Sequence, residues 1–390
     1  MRLAQHFFNF KEPKVLDGTG KIAEVLKAKG VTSVLIVTDD MLNNKLKLVD
    51  GLKASLDSAG IKYVVYDKTV PNPTIENVNE AYAMHLENNC KAIIAFGGGS
   101  PMDCAKGAAC RVNRPKKPVQ KLKGLLKVRK KYKNFFAVPT TAGTGSEATV
   151  AAVIADPTTH EKYAINDPAL IPTYAVLEPE LTVGLPKIVT STTGVDALTH
   201  AVEAFIGHEN TRTTAKMAVK ATKLIFDNLK LAYDDGKNID ARRNMQVAAF
   251  CAGVAFTRAY VGNVHALAHQ LGGFYGIPHG LANAVLLPVV LDAYGKKAHG
   301  RLAKLAMLSG VVAKTEGTKT ERALKFIAKI KELNATMEIP TKFVDKYIIK
   351  EADVPTMAKR AFKEANPLYP VPVIFSKKHF EEIYRQVGNL

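Results

Sequence analysis

The fold is decided by the stretch Ala92-Ile93-Ile94-Ala95-Phe96-Gly97-Gly98-Gly99-Ser100-Pro101-Met102-Asp103. Its opening residues, up to Phe96, are an apolar run typical of a buried strand. A helix-like segment, Cys104–Val112, comes after the glycines, so the chain predicts a strand, a turn and a helix. Ser100 and Asp103 fit a capping box, with Pro101 at the first helical position. The glycines would let backbone N–H groups approach an anion at the positive end of this helix.

Three more short apolar runs alternate with helix-like stretches in the first half of the chain: Ser33–Val37, Tyr63–Tyr66 and Phe135–Val138. Strands separated by helices form a parallel sheet with helices on both faces. After Leu185 the hydrophobic period is almost entirely helical, as in Ala215–Leu229 and Glu321–Leu333. Because 390 residues with 47% hydrophobic content exceed a single core, we expect two domains. They are a Rossmann-like α/β domain over residues 1–184 and an all-helical domain over residues 185–390.

Two other segments are candidates for binding a nucleotide. Pro139–Glu147, rich in hydroxyls and glycines, lies at the carboxyl end of a strand, where open α/β sheets bind ligands. Asp39 follows the strand that ends at Val37, and its carboxylate could accept hydrogen bonds from the ribose hydroxyls of NAD and repel a 2′-phosphate. It could equally cap a helix. The Gly18-Thr19-Gly20 stretch lacks a convincing preceding strand, and we interpret it as a turn and cap.

Three glycine-flanked clusters in the second half contain aspartate and histidine at ligand-like spacings. Asp196 and His200 are four residues apart, as are His265 and His269, so each pair would share one helix face. A Gly-Ile-Pro stretch must end the helix that carries His265, and could return His279 toward the same point. A single histidine is more often an ordinary polar residue, but four of the ten histidines fall in these clusters. A carboxylate with imidazoles and no thiolate suits Fe(II), Zn, Mn, Co or Ni rather than Ca or Mg.

The net charge of +18 would suit a polyanionic partner. Eleven Lys or Arg residues and no acidic residue lie between Arg111 and Lys133. Apolar residues alternate with these cations, so we predict a basic, solvated surface helix. Tyr132 is its only aromatic, whereas a surface that stacks nucleic-acid bases needs several. A nucleic-acid-binding protein would explain the charge but would leave the histidine clusters without a purpose, so we expect no nucleic-acid partner.

Cysteine content and hydropathy indicate an ordinary cytoplasmic protein. Cys90, Cys104, Cys110 and Cys251 show neither CxxC spacing nor a dense disulfide pattern, which fits reduced thiols. The first residues contain no apolar signal region, and no run reaches the ~18 apolar residues that span a bilayer. We therefore expect no membrane partner.

These motifs resemble the iron-dependent (group III) alcohol dehydrogenases over essentially the whole chain. That family includes lactaldehyde reductase, 1,3-propanediol dehydrogenase and bacterial butanol and ethanol dehydrogenases. The resemblance rests on Val70–Thr74, the GGGSPMD stretch, Pro139–Glu147, Gly194–Glu203 and, above all, His265–Gly280. It implies the two-domain architecture shared with dehydroquinate synthase and a homodimer or larger homo-oligomer. It also implies hydride transfer between NAD(H) and a small primary alcohol or diol, or the aldehyde in reverse.

The resemblance also implies roles for individual residues. A metal ion, Fe(II) or another divalent ion such as Zn(II), would be bound by Asp196, His200, His265 and His279. His269 would lie in the substrate cleft as a non-ligand, where its imidazole is a candidate for proton transfer. Phe256 resembles a wall of the substrate pocket, and Ala151 stands where some members have an asparagine. The cofactor contacts would be Asp39, Asn72, Gly98, Gly99, Ser100, Asp103, Thr140, Thr141, Thr144, Lys162 and Thr182.

Two other kinds of metal- and NAD-using enzyme share this plan, the dehydroquinate synthase-like and the glycerol dehydrogenase-like proteins. A synthase should have more Arg and Lys around the metal, to bind an acidic, phosphorylated substrate. Here the surroundings are Ala, Leu, Gly and Phe, with Arg258 the nearest exception. This composition favours the alcohol dehydrogenase.

Overall fold

The computed structural model of the protein describes residues 10–157 and 161–390. They form two compact units whose sequences meet between Thr182 and Val183. The N-terminal unit is an α/β structure and the C-terminal unit is helical, which confirms the predicted fold class.

The described part of the N-terminal unit contains nine strands. They are β1 (Lys14–Asp17), β2 (Ser33–Val37), β3 (Lys62–Tyr66), β4 (Ala92–Gly97), β5 (Gly124–Leu125), β6 (Phe135–Pro139), β7 (Ala151–Asp156), β8 (Glu161–Asn166) and β9 (Tyr174–Leu177). Six of them form a parallel sheet in the order β1-β9-β6-β4-β2-β3. The other three form a small sheet, in which β7 and β8 are antiparallel and β5 pairs with β8.

The large sheet reverses its strand order between β2 and β4. The chain runs from β2 to its neighbour β3, then crosses to β4 on the other side of β2. Open α/β sheets bind ligands beyond the carboxyl ends of the strands at such a reversal. Asp39 follows β2 and the glycine turn follows β4, so both lie where this rule expects a ligand.

Apolar side chains cover both faces of the large sheet. The helices of this unit are α1 (Gly20–Ala28), α2 (Asp50–Ser58), α3 (Ile75–Glu87) and α4 (Gly99–Asn113). Ile93 of β4 packs in one apolar cluster with Ala105 of α4, whereas the next residue, Ile94, packs in the other with Leu26 of α1. Successive strand residues point to opposite faces. A strand buried on both faces is therefore apolar at every position, which is why the central runs were visible in the sequence.

The basic segment is not the helix predicted for Arg111–Lys133. Helix α4 ends at Asn113, and the rest contains only a 3₁₀ turn, Val119–Leu122, and strand β5. Two prolines, Pro115 and Pro118, prevent α4 from continuing because proline lacks the backbone donor that a helix interior needs. The buried apolar residues of this segment belong to the core of the N-terminal unit rather than to one helix face.

Two smaller predictions about helix starts were wrong in part. The Gly18-Thr19-Gly20 stretch does follow a strand, β1, which we did not expect, but it forms the predicted turn, with Thr19 at the N-cap position of α1 and no side-chain capping bond. Helix α4 begins two residues earlier than expected, with Gly98 as N-cap and no side-chain capping bond, so the capping box between Ser100 and Asp103 does not form.

The C-terminal unit is built from helices alone in the described residues. They are α5 (Lys187–Ile206), α6 (Arg212–Asp234), α7 (Ile239–Ala259), α8 (Asn263–Tyr275), α9 (His279–Tyr294), α10 (Lys296–Leu308), α11 (Lys319–Thr336), α12 (Val354–Ala365) and α13 (Lys377–Gly388). The helices predicted around Ala215–Leu229 and Glu321–Leu333 are parts of α6 and α11. Helix α5 lies at the centre of this unit and is buried along most of its length.

No single helix in the described residues is both long enough and apolar enough to cross a membrane; α7 and α8 reach those measures only as a pair, which is bent by 104°. The four cysteines are buried and have free thiols, as their spacing predicted.

Candidate functional site

Asp196 and His200 lie one turn apart on the same face of α5, as their spacing predicted. Both are buried, with 2% and 4% of their surface exposed. Gly194, two residues before Asp196, has no side chain because one would overlap Leu229 of α6. A glycine at this position therefore lets α6 pack closely against the part of α5 that carries the two polar side chains.

A break between α8 and α9 brings His279 beside His265. Helix α8 ends at Tyr275, and Gly276 then adopts the left-handed conformation with φ of 64° that commonly ends helices. Helix α9 begins at His279 itself. A Cβ on the next residue, Gly280, would lie 2.7 Å from the carbonyl oxygen of Thr192, so only glycine allows α9 to start this close to α5.

Asp196, His200, His265 and His279 converge on one point. Each offers one donor atom, and the four atoms all lie within 4.8 Å of one another. The Asp196 Oδ1 atom is 3.6 Å from Nε2 of His279 and 4.0 Å from Nε2 of His265. The side chain of His279 is 40% exposed, whereas the other three residues are buried, so the group is open on the His279 side.

His265 is prepared to act as a ligand by a buried carboxylate that sequence reasoning missed. Glu203 lies on α5, close to one turn after His200, and its Oε2 atom is 2.6 Å from Nδ1 of His265. The same carboxylate accepts the backbone N–H groups of Gly262 and Val264, each at 2.8 Å. Since Nδ1 is bonded to Glu203, Nε2 of His265 faces the other donors, which is the arrangement by which outer carboxylates orient histidine ligands.

The burial of these groups affects their protonation. Burial, together with the nearby His200 and His279 rings, holds the pKa of His265 well below its usual value, so its imidazole is neutral. Burial also raises the pKa of Glu203 to about 7, against the opposing effect of the hydrogen bonds from Gly262 and Val264. A neutral imidazole has a lone pair available for a cation.

Asn283, on α9, is a second residue of the site that sequence reasoning missed. Its Nδ2 atom donates to Asp196 Oδ1 at 2.6 Å and lies 3.2 and 3.1 Å from the Nε2 atoms of His265 and His279. It is four residues after His279 on the same helix, so this spacing was the available signal. Asn283 therefore fixes the Asp196 carboxylate beside two of the imidazoles.

His269 is close to this group but is not part of it. Its ring is stacked on that of His279, with centroids 5.3 Å apart, and its side chain is 42% exposed. Its Nδ1 atom lies 2.6 Å from Oε1 of Glu364, on α12, which also accepts from the Tyr369 hydroxyl at 2.8 Å. Glu364 was missed because nothing in the local sequence links α12 to α8. Phe256, the expected pocket wall, stacks on the His200 ring with centroids 4.2 Å apart.

The structure brings several of the predicted cofactor residues of the N-terminal unit together around the glycine turn. A Cβ on Gly98 would be 3.6 Å from the Thr141 side chain, and one on Gly99 would be 3.2 Å from Cγ2 of Thr144. The Asn72 N–H donates to the hydroxyl of Ser100 at 3.2 Å. Asn72 has a φ of 59°, a conformation that asparagine tolerates better than most residues. The N-terminus of α4 is thus surrounded by hydroxyl groups.

The other predicted cofactor residues have more varied positions. Asp39 is half-buried and its Oδ1 accepts the N–H of Leu42 at 2.9 Å, so one oxygen caps the following turn. Thr140 is buried beside Gly97, whose carbonyl accepts its N–H at 3.1 Å, and Lys162 is exposed on β8. Thr182 is fully buried and its hydroxyl donates to Pro179.

Asp103 does not line the glycine turn with its carboxylate. One oxygen accepts the Ser146 hydroxyl at 3.2 Å and the other accepts the N–H of Val153 at 3.0 Å. One oxygen thus binds the segment that leads into β7 and the other binds β7 itself, and this placement lends no support to a direct contact between Asp103 and a cofactor.

Comparison with known proteins agrees with this geometry. The family model described as "Iron-containing alcohol dehydrogenase" matches residues 13–179, and the one described as "Fe-containing alcohol dehydrogenase family, C-terminal" matches residues 190–388. The chain is 40% identical over 364 residues to alcohol dehydrogenase 4 of Schizosaccharomyces pombe, covering 91% of this chain and 84% of the yeast protein.

Solved structures give the same result for the fold. A crystal structure of 1,3-propanediol oxidoreductase superposes with a TM-score of 0.92 at 35% identity, over 97% of this chain and 99% of that one. Sulfoacetaldehyde reductase from Bifidobacterium kashiwanohense, solved in complex with NAD+, has a TM-score of 0.85 at 26% identity, over 98% of each chain. With family models covering both units and a relative at 40% identity, this chain belongs to the iron-containing alcohol dehydrogenase family and is an oxidoreductase of alcohols.

Proposed function

We propose that the enzyme uses NAD(H) and a divalent metal ion, Fe(II) first among the candidates, to interconvert a small primary alcohol or diol and its aldehyde. The observation that carries this proposal is the convergence of four donor atoms within 4.8 Å in the helical unit. The relative solved with NAD+ and the relative named for 1,3-propanediol support the cofactor and the substrate class.

The residues present fit a metal ion. Three imidazoles and a carboxylate are donors of intermediate hardness, which suits Fe(II), Zn(II), Mn(II), Co(II) or Ni(II). His265 is neutral, and Glu203 binds its Nδ1 so that Nε2 is the ring nitrogen directed toward the other donor atoms. We therefore propose Asp196, His200, His265 and His279 as the metal ligands. The exposed side of His279 would leave room for a substrate oxygen.

When bound, the cation would supply Lewis-acid stabilisation of the alcohol oxygen, and the nicotinamide would supply the hydride chemistry. The chain's own residues then have three tasks. Phe256, stacked on His200, makes the surroundings of the donors apolar. Asn283 and Glu203 fix the orientations of Asp196 and His265, respectively. The remaining task is removal of the alcohol proton.

We propose His269 for this proton transfer. It is exposed, it is stacked on the proposed ligand His279, and its Nδ1 is bonded to Glu364. This bond orients the imidazole, and a neutral or protonated imidazole can exchange a proton with the substrate or with water. A positioned imidazole of this kind is a common general acid or base.

We propose that NAD(H) binds to the N-terminal unit, at the glycine turn and the hydroxyl groups around it. The positive end of α4, with Gly98, Gly99 and Ser100, suits a pyrophosphate. Asp39 follows β2 next to the strand-order reversal, where a carboxylate can accept bonds from ribose hydroxyls. Asp40 beside it accepts a hydrogen bond from Asn44 and pairs with Lys45, which lowers its pKa and keeps it charged. These carboxylates favour NAD(H) over NADP(H).

The test is metal removal followed by separate readdition of Fe(II), Zn(II) and Mn(II) to anaerobically purified protein. NADH absorbance would be followed with a panel of C2–C4 alcohols, diols and aldehydes. We expect activity to be lost on chelation and restored by at least Fe(II), with the highest kcat/KM for a small primary alcohol or diol. Full turnover in protein verified to be free of metal would refute the proposal.

Assembly and cellular context remain predictions from the sequence. Light scattering would test the expected homodimer or larger homo-oligomer, and a salt-dependent gel-shift assay would test the expected lack of nucleic-acid binding. Fractionation would test the cytoplasmic location.

A further inference from the structure

Lys106 is a buried ammonium in the N-terminal unit to which neither the catalytic proposal nor the sequence assigned a role. It lies in the middle of α4 and is only 1% exposed, which is rare for lysine. Four oxygens lie within hydrogen-bond distance of its Nζ atom, which has three N–H groups to share among them: Thr149 Oγ1 at 2.8 Å, Ala151 O at 2.9 Å, Ser146 Oγ at 3.0 Å and Thr149 O at 3.1 Å. These acceptors are uncharged, and all belong to the segment that leads from the hydroxyl-rich loop into β7.

Two carboxylates, one of them buried and one partly buried, lie near this ammonium and compensate its charge. Asp103 precedes Lys106 by three residues on α4, and Glu147 lies in the segment that Lys106 binds. Burial lowers the pKa of Lys106 to about 8, while attraction to Asp103 and Glu147 acts in the opposite direction. Burying such a group is costly, and an apolar side chain of similar volume is often as good for stability. An ammonium at this position therefore needs a reason other than packing.

The reason lies in the segment that Lys106 binds. Between Pro139 and Ala151 the only regular structure is a short 3₁₀ turn, Ser146–Ala148, preceded by Gly145 with a φ of 59°. A segment with so few backbone hydrogen bonds of its own depends on side chains to fix its conformation. Lys106 supplies bonds to two of its carbonyl oxygens, and no apolar residue could do so.

Asp103 binds the same segment from the same helix face. Its carboxylate accepts the Ser146 hydroxyl and the N–H of Val153. Ser146 therefore links the two residues, since its Oγ accepts from Lys106 and donates to Asp103. Thr144, just before this contact, packs on Gly99 at the start of α4. The side of helix α4 thus fixes the loop that lies beside its N-terminus, where we propose that the pyrophosphate binds.

We propose that Lys106 is a positioning residue for the dinucleotide, which rests on the proposed use of NAD(H): it fixes the 144–151 loop against the helix that binds the pyrophosphate. Loss of the ammonium would leave the loop mobile in the free enzyme, so binding would have to order it. The effect should be confined to the cofactor, because the proposed metal ligands belong to the other unit of the chain.

The test is Lys106→Met in the full-length, metal-loaded enzyme. We expect NADH to bind about 10- to 100-fold more weakly in a fluorescence titration, the scale of a lost charge-assisted hydrogen bond. The metal content and the KM for the alcohol should be unchanged. Arg111→Met is the matched control, because it also removes a cation from α4. The Arg111 guanidinium contacts the Pro115 carbonyl and not the 144–151 loop. This control should bind NADH as the wild type does.

Thr149→Val keeps the proposal testable if Lys106→Met does not fold. It removes one acceptor and retains the ammonium, so we expect a smaller loss of NADH affinity. In the double variant, where it can be made, Thr149→Val should add little to Lys106→Met. If folded Lys106→Met binds NADH with wild-type affinity, the positioning role is overturned. If Lys106→Met does not fold, wild-type affinity in Thr149→Val has the same meaning. Either outcome leaves the proposed function intact. Failure of the wild type to bind NADH would instead refute the proposed function and this inference with it.

Discussion

Glu203→Gln should weaken metal binding by about 10- to 100-fold, although Glu203 is not a proposed ligand. In the structure its carboxylate accepts three hydrogen bonds, from Gly262 N, Val264 N and His265 Nδ1. A glutamine retains only one accepting oxygen. If that oxygen accepts the bonds from Gly262 and His265, the NH2 group of the glutamine faces the N–H of Val264. Two hydrogen-bond donors then face each other, and neither has an acceptor.

The magnitude follows from these contacts. Above pH 7, where the Glu203 carboxyl with its pKa of about 7 is ionised, the substitution loses one buried hydrogen bond to a charged acceptor, worth about 1.5–3 kcal/mol, and it weakens the bond that orients His265. Each 1.4 kcal/mol is a tenfold change in an equilibrium constant. If the whole loss reduces the orientation of His265 for metal binding, the metal dissociation constant rises by roughly 10- to 100-fold.

The assay is a competition titration with a chelator of known affinity, with metal content measured on the same samples. Glu332→Gln provides a control for the chemical change, because the Glu332 side chain is 69% exposed on α11. The unfolding temperatures of both metal-free proteins show whether the fold has changed. Wild-type metal affinity in a folded Glu203→Gln protein would refute the reasoning, and a lowered unfolding temperature with unchanged affinity would make Glu203 purely structural.

Three further predictions concern the proposed site. His265→Ala and His279→Ala should each lose metal, since removal of one of four ligands leaves an incomplete set; one metal per chain in both variants would show that the ligands are misassigned. His269→Ala should keep its metal and its NAD affinity but lose about 10²–10⁴-fold in kcat, with a changed pH–rate profile; loss of metal would make His269 a ligand. Asp39→Gly should relax the preference for NAD over NADP by removing repulsion of the 2′-phosphate, and an unchanged ratio of the two kcat/KM values would mean that Asp39 does not contact the ribose.

The central strands could be predicted because burial on both faces makes them continuous apolar runs. Ser33–Val37 was predicted with its observed limits, and Ala92–Phe96 one residue short. Strands β1 and β9 of the large sheet were missed, as were the three strands of the small sheet. β1 lies at the edge of the sheet and is largely exposed, so its sequence lacks that apolar signal.

In the Arg111–Lys133 segment the error was to predict a helix that does not form. Its apolar residues have a spacing that a helix could use, but they enter the core singly from turns, and two prolines exclude a helix across 115–118. Propensity and period describe only local structure, and here tertiary burial of Val119, Leu122 and Val128 decided the conformation.

The convergence of Asp196, His200, His265 and His279 could be predicted because helical spacing and a Gly-Ile-Pro break are local features. The residues that orient them could not. Glu364 contacts His269 across 95 residues of sequence, and Glu203 contacts His265 across 62. Such pairs depend on how helices pack, which one sequence does not specify residue by residue.

The origin of the four donor atoms has a consequence for the durability of the fold. Asp196 and His200 belong to α5, His265 to α8 and His279 to α9, so a bound cation would cross-link three helices of the C-terminal unit. A ligand that binds only the folded chain adds to the free energy of unfolding, by about 2.7 kcal/mol when its free concentration is a hundred times the dissociation constant. The heat resistance of this enzyme would then depend on the metal supply of the cell, and starvation for metal would lower the free energy of unfolding as well as the turnover.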